Sequence, residues 1–344
     1  MKVLVAMSGG VDSSVAAALL LEAGHDVAGV TLRLWGGESD SGCCSVADVD
    51  DARRVAQQLG IEHWVFNFSD EFDTHIVEPY VAAHKQGHTP NPCIECNRHI
   101  KFDRLLRRSE QLGFDALATG HHVRRVRTDG GWALARAVDA AKDQSYVVHM
   151  LDQTALSRCL FPIGDLPKSV VRERATALGL RTADKPDSQD VCFIAAKGGG
   201  RRSFLGRRIE LSPGRVVDTA GQSLGTVDAV QLVTIGQRRG LGAGGASKRR
   251  YVVDVDTAHL VVTMGTAADL LTDRVDLDAL VWAHQPIEGP VLVQCSAHGA
   301  AVHGHLTGSM VMFTELHRRV APGQSVVFYD AATGQMVLGG GVAR

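Results

Sequence analysis

The sequence has no run of about 18 uninterrupted apolar residues, the length a membrane-crossing helix needs. Its best candidate, Val15 to Leu21, is stopped by Glu22, Gly24, His25 and Asp26. Cysteines number seven in 344 residues, an odd count and too few for a disulfide scaffold. Such thiols are expected reduced, so a special one is catalytic, redox-linked or metal-binding. Aromatic residues are scarce at 5 %, which leaves few platforms for stacking flat ligands. The net charge of −2 gives no global sign of nucleic-acid binding. Neither a Walker ending (Gly-Lys-Ser/Thr) nor a His-Glu-x-x-His metal pattern occurs. No fixed-period repeat is found. The chain opens on an apolar strand-like run without a signal-peptide pattern, and the expectation is a cytoplasmic protein with no membrane contact.

What is present is ordinary for a folded chain: 45 % apolar and 22 % charged residues, over a length that suits two or three domains. Val3–Met7, Val27–Leu32 and His63–Phe68 read as buried strands, alternating with helical patterns over Ser13–Ala23 and Asp48–Leu59. Leu112–Thr119 ends a further helix and opens a further strand. That alternation predicts an α/β fold with a doubly wound, mostly parallel sheet, whose ligands bind beyond the carboxyl ends of the strands. After about residue 195 the pattern changes. Lys197–Arg202 reads as a glycine-rich linker or mobile loop, followed by strand-like runs at Gly214–Asp218, Val230–Ile235, Tyr251–Val255 and Leu260–Met264. Six more short strands between Asp278 and Leu338 predict a small antiparallel barrel or sandwich. The expected domains are 1–196 (catalytic), 197–268 (β-rich) and 269–344 (C-terminal barrel). From Lys197 to Asp256, eleven Lys and Arg stand against five Asp and Glu, which points to an anionic partner for the middle of the chain.

Three motifs carry chemistry. Ser8-Gly9-Gly10-Val11-Asp12-Ser13-Ser14 sits between the first strand and the first helix. Glycines allow close backbone approach, and a helix N-terminus offers unpaired N–H groups and positive dipole, so this is a seat for nucleotide phosphate. Asp12 is the candidate for Mg²⁺ on pyrophosphate or for the helix cap. Thr89-Pro90-Asn91-Pro92-Cys93-Ile94-Glu95-Cys96-Asn97 is a proline-bracketed turn with two thiols, followed by Arg98, His99 and Lys101, whose charge favours thiolate. Lys185-Pro186-Asp187-Ser188-Gln189-Asp190-Val191-Cys192-Phe193-Ile194 carries a third thiol in a polar stretch. Two separated loop thiols suit sulfur transfer, one as persulfide carrier and one as attacking and resolving group. Zinc on the Cys93/Cys96 pair with His99 and Cys192, and an iron–sulfur cluster on Cys93, Cys96 and Cys192, are the competing uses of the same residues. Cys43, Cys44, Cys159 and Cys295 read as inert. His121 and His122 follow a strand end and are candidate site residues.

These motifs, together with Ala118-Thr119-Gly120-His121-His122, Lys142-Asp143-Gln144-Ser145-Tyr146, Thr234–Gly242 and Ala321-Pro322-Gly323-Gln324 through Gly339-Gly340-Gly341, resemble the tRNA-specific 2-thiouridylase (MnmA) family. That family is a branch of the PP-loop ATP pyrophosphatases, which adenylate a carbonyl oxygen. The match runs in order over essentially the whole chain. The resemblance implies a Rossmann-like PP-loop domain, with Ala6, Met7, Ser8, Gly9, Gly10, Val11, Asp12, Ser13, Leu32 and Gly120 contacting ATP. It implies Asn91, Pro92 and Cys93 near the target base, Cys96 as nucleophile, Cys192 as persulfide carrier, and Lys142, Asp143 and Gln144 against tRNA. The implied reaction is ATP- and Mg²⁺-dependent thiolation of wobble uridine 34 in tRNAs for Lys, Glu and Gln. Cys96 and Cys192 would form a transient disulfide, and a cysteine desulfurase or a sulfur relay would supply the sulfur. A monomer is expected. An iron–sulfur-dependent thiolase or an amidating ligase using the same loop are the alternatives. His122 stands where the family commonly has Tyr, and Gln294–His298 replaces a more basic strand.

Overall fold

The computed structural model describes residues 1–35, 45–187, 191–194, 199–241 and 249–344. Cys43, Cys44, Ser188, Gln189, Asp190, Lys197, Gly198 and Lys248 therefore lie outside the described residues.

Strands β1 (Lys2–Ala6), β2 (Asp26–Arg33), β3 (Glu62–Asn67) and β4 (Ala116–Thr119) are followed by a hairpin, β5 (Val123–Thr128) and β6 (Gly131–Arg136), and by the two-residue β7 (Cys159–Leu160). All but the hairpin form one parallel sheet in the order β3-β2-β1-β4-β7. The chain winds outward from β1 through β2 to β3, then returns to the other side of β1 at β4. The gap between the carboxyl ends of β1 and β4 is thus the topological switch point, where doubly wound sheets take their ligands.

The centre of β1 runs Val-Leu-Val without a polar residue because it is covered on both faces; Val3, Leu4 and Val5 are fully buried. Helix α1 (Val11–Glu22) is rich in Ala, which lets it lie close to the sheet and to the helix Lys168–Ala177. Helix α2 (Val46–Leu59) starts with a capping box between Ser45 and Asp48 and ends at Gly60, which has left-handed φ of 71°. Val55 and Ala56 of α2 pack with Val3 and Val5 in the core on one face of the sheet. On the other face a larger core gathers Leu4, Leu117, Phe72, Ile100 and Tyr146.

Beyond this sheet, strands β8 (Gly214–Asp218), β9 (Ser223–Val227), β10 (Tyr251–Asp256) and β11 (Val261–Gly265) make a second sheet in the order β10-β11-β8-β9. The run Val230–Ile235, expected as a strand, is instead a 3₁₀ turn at Val230–Leu232. Its β-branched residues serve burial rather than a ladder: Val230 and Val233 fill the core of this sheet, while the Leu232 and Val233 amides bond locally to Ala229 and Val230. The expected loop at Lys197–Arg202 is also corrected where it is described. Gly200–Gly206 is a helix, held by buried Phe204 and Leu205.

Strands β12 (Leu271–Trp282), β13 (Gly289–Gln294), β14 (Val302–Thr307), β15 (Met310–Arg318), β16 (Ser325–Asp330) and β17 (Val337–Ala343) close an antiparallel barrel. β12 begins seven residues before the expected Asp278. Register shifts after Thr272 and after Asp278, with Ala279 at positive φ (48°), interrupt the alternation that would reveal one long strand. The barrel is joined to the first domain by specific bonds. Tyr146 Oη donates to the Ser325 carbonyl (2.7 Å), Ser145 Oγ meets Tyr329 Oη (3.0 Å), and Thr89 N–H donates to the Pro322 carbonyl (2.8 Å).

Candidate active site

The loop after β1 is shaped by contacts that tolerate no side chain. Gly9 has φ of +71°, and a Cβ there would lie 2.3 Å from the Asp48 carbonyl oxygen. A Cβ on Gly120, just past β4, would lie 2.5 Å from the Ser13 amide nitrogen. The loop is therefore pinched between the start of α2 and the end of β4, and both glycines are required for it. Gly10 is the N-cap of α1 and supplies no side-chain acceptor to the first turn, so the end of the helix is left for an outside anion. Ser13 Oγ accepts from Ser8 N–H (3.2 Å), which folds the loop back on itself. Met7, Val11 and Ser13 are buried and can offer a nucleotide only backbone, whereas Leu32 and Ala6 turn toward the larger core.

Asp12 is held from two sides. Lys168 Nζ lies 2.7 Å from each carboxylate oxygen, and His122 Nε2 lies 3.2 Å from Oδ1. Burial raises the Asp12 pKa, but the hydrogen bonds and charges of His122 and Lys168 outweigh it and hold the carboxyl below its ordinary range. Lys168 was not legible as a site residue. Its signal is local: a lysine directly after Pro167 opens the helix Lys168–Ala177, where the helix dipole disfavours a cation. Such a residue needs an acid elsewhere. Lys185 makes the matching contact on the other flank, donating to the Gly9 carbonyl (3.0 Å), Asp48 Oδ1 (2.6 Å) and Asp51 Oδ2 (2.9 Å). Asp187, two residues on, receives Lys168 at 2.8 Å, Lys142 at 2.8 Å and Arg172 at 3.0 Å. Burial opposes its ionisation, yet Lys142 and Lys168 bring its pKa down to about 2. The segment that leads to Cys192 is thus anchored to the phosphate loop by two ion-pair clusters.

The Cys93/Cys96 turn is built by Asn91, whose side chain accepts from Cys93 N–H (3.1 Å) and caps the short helix Pro92–Glu95. Cys93 is exposed and Cys96 is 8 % exposed. Cys96 opens a π-helix, Cys96–Leu105, a widened geometry that periodicity does not announce and that recurs at functional sites. Asn97 Nδ2 donates to the Val147 carbonyl (2.8 Å) and ties this helix to the turn Ser145–Val148. The positive charge expected beside the thiols is partly spent, since Arg98 and His99 both lean on Glu95, at 3.4 and 3.3 Å. Cys192 is half-buried against the same apolar core that contains Cys96, and the neighbouring Phe193 packs on Trp35, Phe72 and Tyr80. Trp35 lies just beyond β2, so the Cys192 segment reaches the carboxyl edge of the sheet. No disulfide joins the described cysteines. Burial pushes the Cys159 and Cys295 thiols up to about 12, as befits inert groups.

Three family models match the chain in order: a tRNA methyl transferase HUP domain over residues 1–196, a tRNA methyl transferase PRC-barrel domain over 202–266, and an aminomethyltransferase beta-barrel domain over 273–343. The tRNA-specific 2-thiouridylase MnmA of Chloroflexus aurantiacus is 48 % identical over 360 residues, spanning 99 % of this chain and 98 % of its own. The chain belongs to the MnmA family. The proteins of the same name from Corynebacterium aurimucosum and Cutibacterium acnes are 46 % and 45 % identical, each spanning at least 95 % of both chains.

Among the residues that the MnmA resemblance assigns to tRNA, the structure separates three roles. Lys142 keeps 39 % of its side chain exposed, beside Asp187. Asp143 turns inward with 6 % exposure: its oxygens accept from Arg136 Nη1 (2.8 Å), Ser145 Oγ (2.7 Å) and the Ala137 amide (3.0 Å). Gln144 pairs with His122 in both directions, each amide N–H donating at 2.8 Å, one to the Gln144 side-chain carbonyl and the other to the His122 backbone carbonyl. Gln294, in the strand expected to be less basic than in other MnmA proteins, is buried and accepts from Arg136 Nη2 (2.8 Å). Several basic residues of the middle segment are engaged locally: Arg202 pairs with Asp228, Arg250 with Asp218, and Arg208 lies over the Phe204 ring. Among the described residues no three His, Cys, Asp or Glu gather as a metal-holding group, so Cys93, Cys96 and Cys192 as placed do not fit a zinc ion or an iron–sulfur cluster. Asp12 is a carboxylate of the kind that holds Mg²⁺ together with substrate phosphates, and as placed both of its oxygens are bonded to Lys168.

Proposed function

We propose that this chain is a tRNA-uridine 2-sulfurtransferase that adenylates O2 of wobble uridine 34 in tRNAs for Lys, Glu and Gln and replaces it with sulfur. Its carrying observation is the meeting, at the carboxyl edge of one parallel sheet, of the glycine-shaped loop with Asp12 and the Lys185–Asp187 approach to Cys192, with Cys96 on the adjoining core. The loop and the α1 N-terminus seat the triphosphate through Ala6 to Ser13, with Leu32 and Gly120 beside the nucleotide. Asp12 would hold Mg²⁺, which supplies charge neutralisation for the departing pyrophosphate.

Uracil C2 is a weak electrophile and its oxygen a poor leaving group. Attack of O2 on the α-phosphorus releases pyrophosphate and leaves AMP on O2. A Cys192 persulfide, loaded by a cysteine desulfurase or a relay protein, attacks C2 with its outer sulfur. Cys96 thiolate then takes the inner sulfur, the S–S bond to the transferred atom breaks, AMP departs, and Cys96 and Cys192 remain as a disulfide for an external thiol to reduce. Asn91, Pro92 and Cys93 border the base, which must be splayed from its stack to enter. Residues 1–196 carry the chemistry, and 197–268 and 269–344 support the RNA. The test is incubation with ATP, Mg²⁺, a persulfide donor and unmodified tRNA, followed by nucleoside mass analysis. 2-Thiouridine is expected, and its absence from protein that binds ATP and tRNA would overturn the reading.

A further inference from the structure

A line of alternating charges runs from the surface to the phosphate loop. Lys142 (39 % exposed) pairs with Asp187 (22 %), Asp187 with Lys168 (9 %), and Lys168 with both oxygens of Asp12, at 2.8, 2.8 and 2.7 Å. The line closes on itself through Gln144, two residues from Lys142, whose reciprocal bonds fix the backbone of His122, the residue whose imidazole meets Asp12. Every residue of this ring except Asp12 and Lys142 stands outside the substrate assignments or, like Gln144, spends its side chain inside the ring. As it stands Lys168 blocks Asp12: a carboxylate bonded through both oxygens to one ammonium has little left for a metal ion.

We infer that the ring makes Asp12 responsive to RNA, with Asp187 and Lys168 as positioning residues. The inference rests on the reading of Lys142 as an RNA contact and of Asp12 as the metal carboxylate. A backbone phosphate at Lys142 competes with Asp187 for its most exposed cation, leaving Asp187 with Lys168 and Arg172. Asp187, stripped of that partner, pulls harder on Lys168. Lys168 shifts its hydrogen bonds toward Asp187, and Asp12 is released to the metal–pyrophosphate group. The His122–Gln144 arm keeps the Asp12 carboxylate oriented during the exchange. Adenylation is thereby favoured when RNA is in place, which spares ATP when it is absent.

The test measures pyrophosphate release from ATP and Mg²⁺, with and without an unmodified tRNA transcript, in full-length protein, the RNA-independent rate being cleavage with water as the acceptor. Coupling of this kind is worth roughly 5- to 150-fold, so the wild-type rate is expected to rise about tenfold or more with RNA. Lys142→Ala does permanently what RNA does transiently, and is expected to raise the RNA-independent rate about fivefold or more while flattening the response to RNA. Asp187→Asn leaves Lys168 on Asp12 and is expected to lose the RNA-dependent rise while still binding the transcript. A purely structural role, or a role of Lys142 in RNA affinity alone, predicts an unchanged or lower RNA-independent rate in Lys142→Ala; that result overturns the relay. So does an Asp187→Asn protein with the full wild-type response. If Asp187→Asn does not fold, Lys142→Ala at the surface decides. Wild-type protein that forms 2-thiouridine without these variant effects refutes the relay alone, whereas wild-type protein that neither binds ATP nor releases pyrophosphate refutes the proposed function with it.

Discussion

Asp12 is the residue on which the phosphate loop turns, because its charge is set by neighbours from two distant parts of the chain. Replacing it with Asn keeps the shape and removes the charge, so Asp12→Asn is expected to cut AMP formation by about 100-fold or more, read as pyrophosphate release, with the melting temperature little changed. In the proposed reaction Cys96 acts at a later step. Cys96→Ala is expected to abolish 2-thiouridine while pyrophosphate release continues, and sustained thiolation from a persulfide donor by that variant would remove Cys96 from the chemistry. Gly120 acts through space rather than function. Its Cβ has only 2.5 Å to the Ser13 nitrogen, so Gly120→Ala must displace the loop, and nucleotide affinity measured by calorimetry is expected to fall about tenfold or more.

At the scale of elements, the pattern of apolar runs disclosed the parallel sheet and the position of the phosphate loop, since buried strands followed by amphipathic helices have few other solutions. The barrel was legible for a similar reason: β14 alternates between core and solvent. Other elements were illegible for reasons that differ. Strand β5 of the hairpin is written Val-Arg-Arg-Val-Arg-Thr, with little apolar alternation, because Arg125 lies against the Trp132 ring rather than fully in solvent. π-Helices such as Cys96–Leu105 share their residues' preferences with α-helices, so only the tertiary contacts of Asn97 and Cys96 specify them. The ion pairs of Lys168 with Asp12 and of Lys185 with Asp48 and Asp51 join residues more than 130 positions apart, a distance no local pattern spans. One element-scale prediction concerns the turn before Cys96. Gln324 Nε2 donates to the Thr89 carbonyl, and Pro322 receives the Thr89 N–H. Gln324→Ala is expected to loosen that turn and quicken Cys96 alkylation about threefold or more, with global stability lowered by only about 1 kcal/mol; an unchanged alkylation rate would deny the buttress.

For the whole molecule, the seams between the units hold the titratable weak points. His84 sits near the Val230–Leu232 turn of the second sheet, buried, and burial together with Arg201 lowers its pKa to about 4. His149 lies under Gly340 of the barrel, and burial, helped by Arg98, lowers it to about 4 as well. Both are neutral in the fold, whereas an unfolded chain takes up protons near pH 6.5. Stability is therefore full above pH 6.5, falls as pH drops toward 4, and loses on the order of 3 kcal/mol per histidine across that window. Urea midpoints at pH 7 and pH 5 should differ accordingly, and His149→Gln should flatten the difference. The contact of residues 322–324 with Thr89 has a further meaning for biosynthesis. The loop that presents Cys96 is synthesised well before its brace, Gln324 standing 235 residues after Thr89. A nascent chain can fold its leading sheet long before it can hold that sulfur in place, so the turn is braced only once the barrel segment around Gln324 has been made.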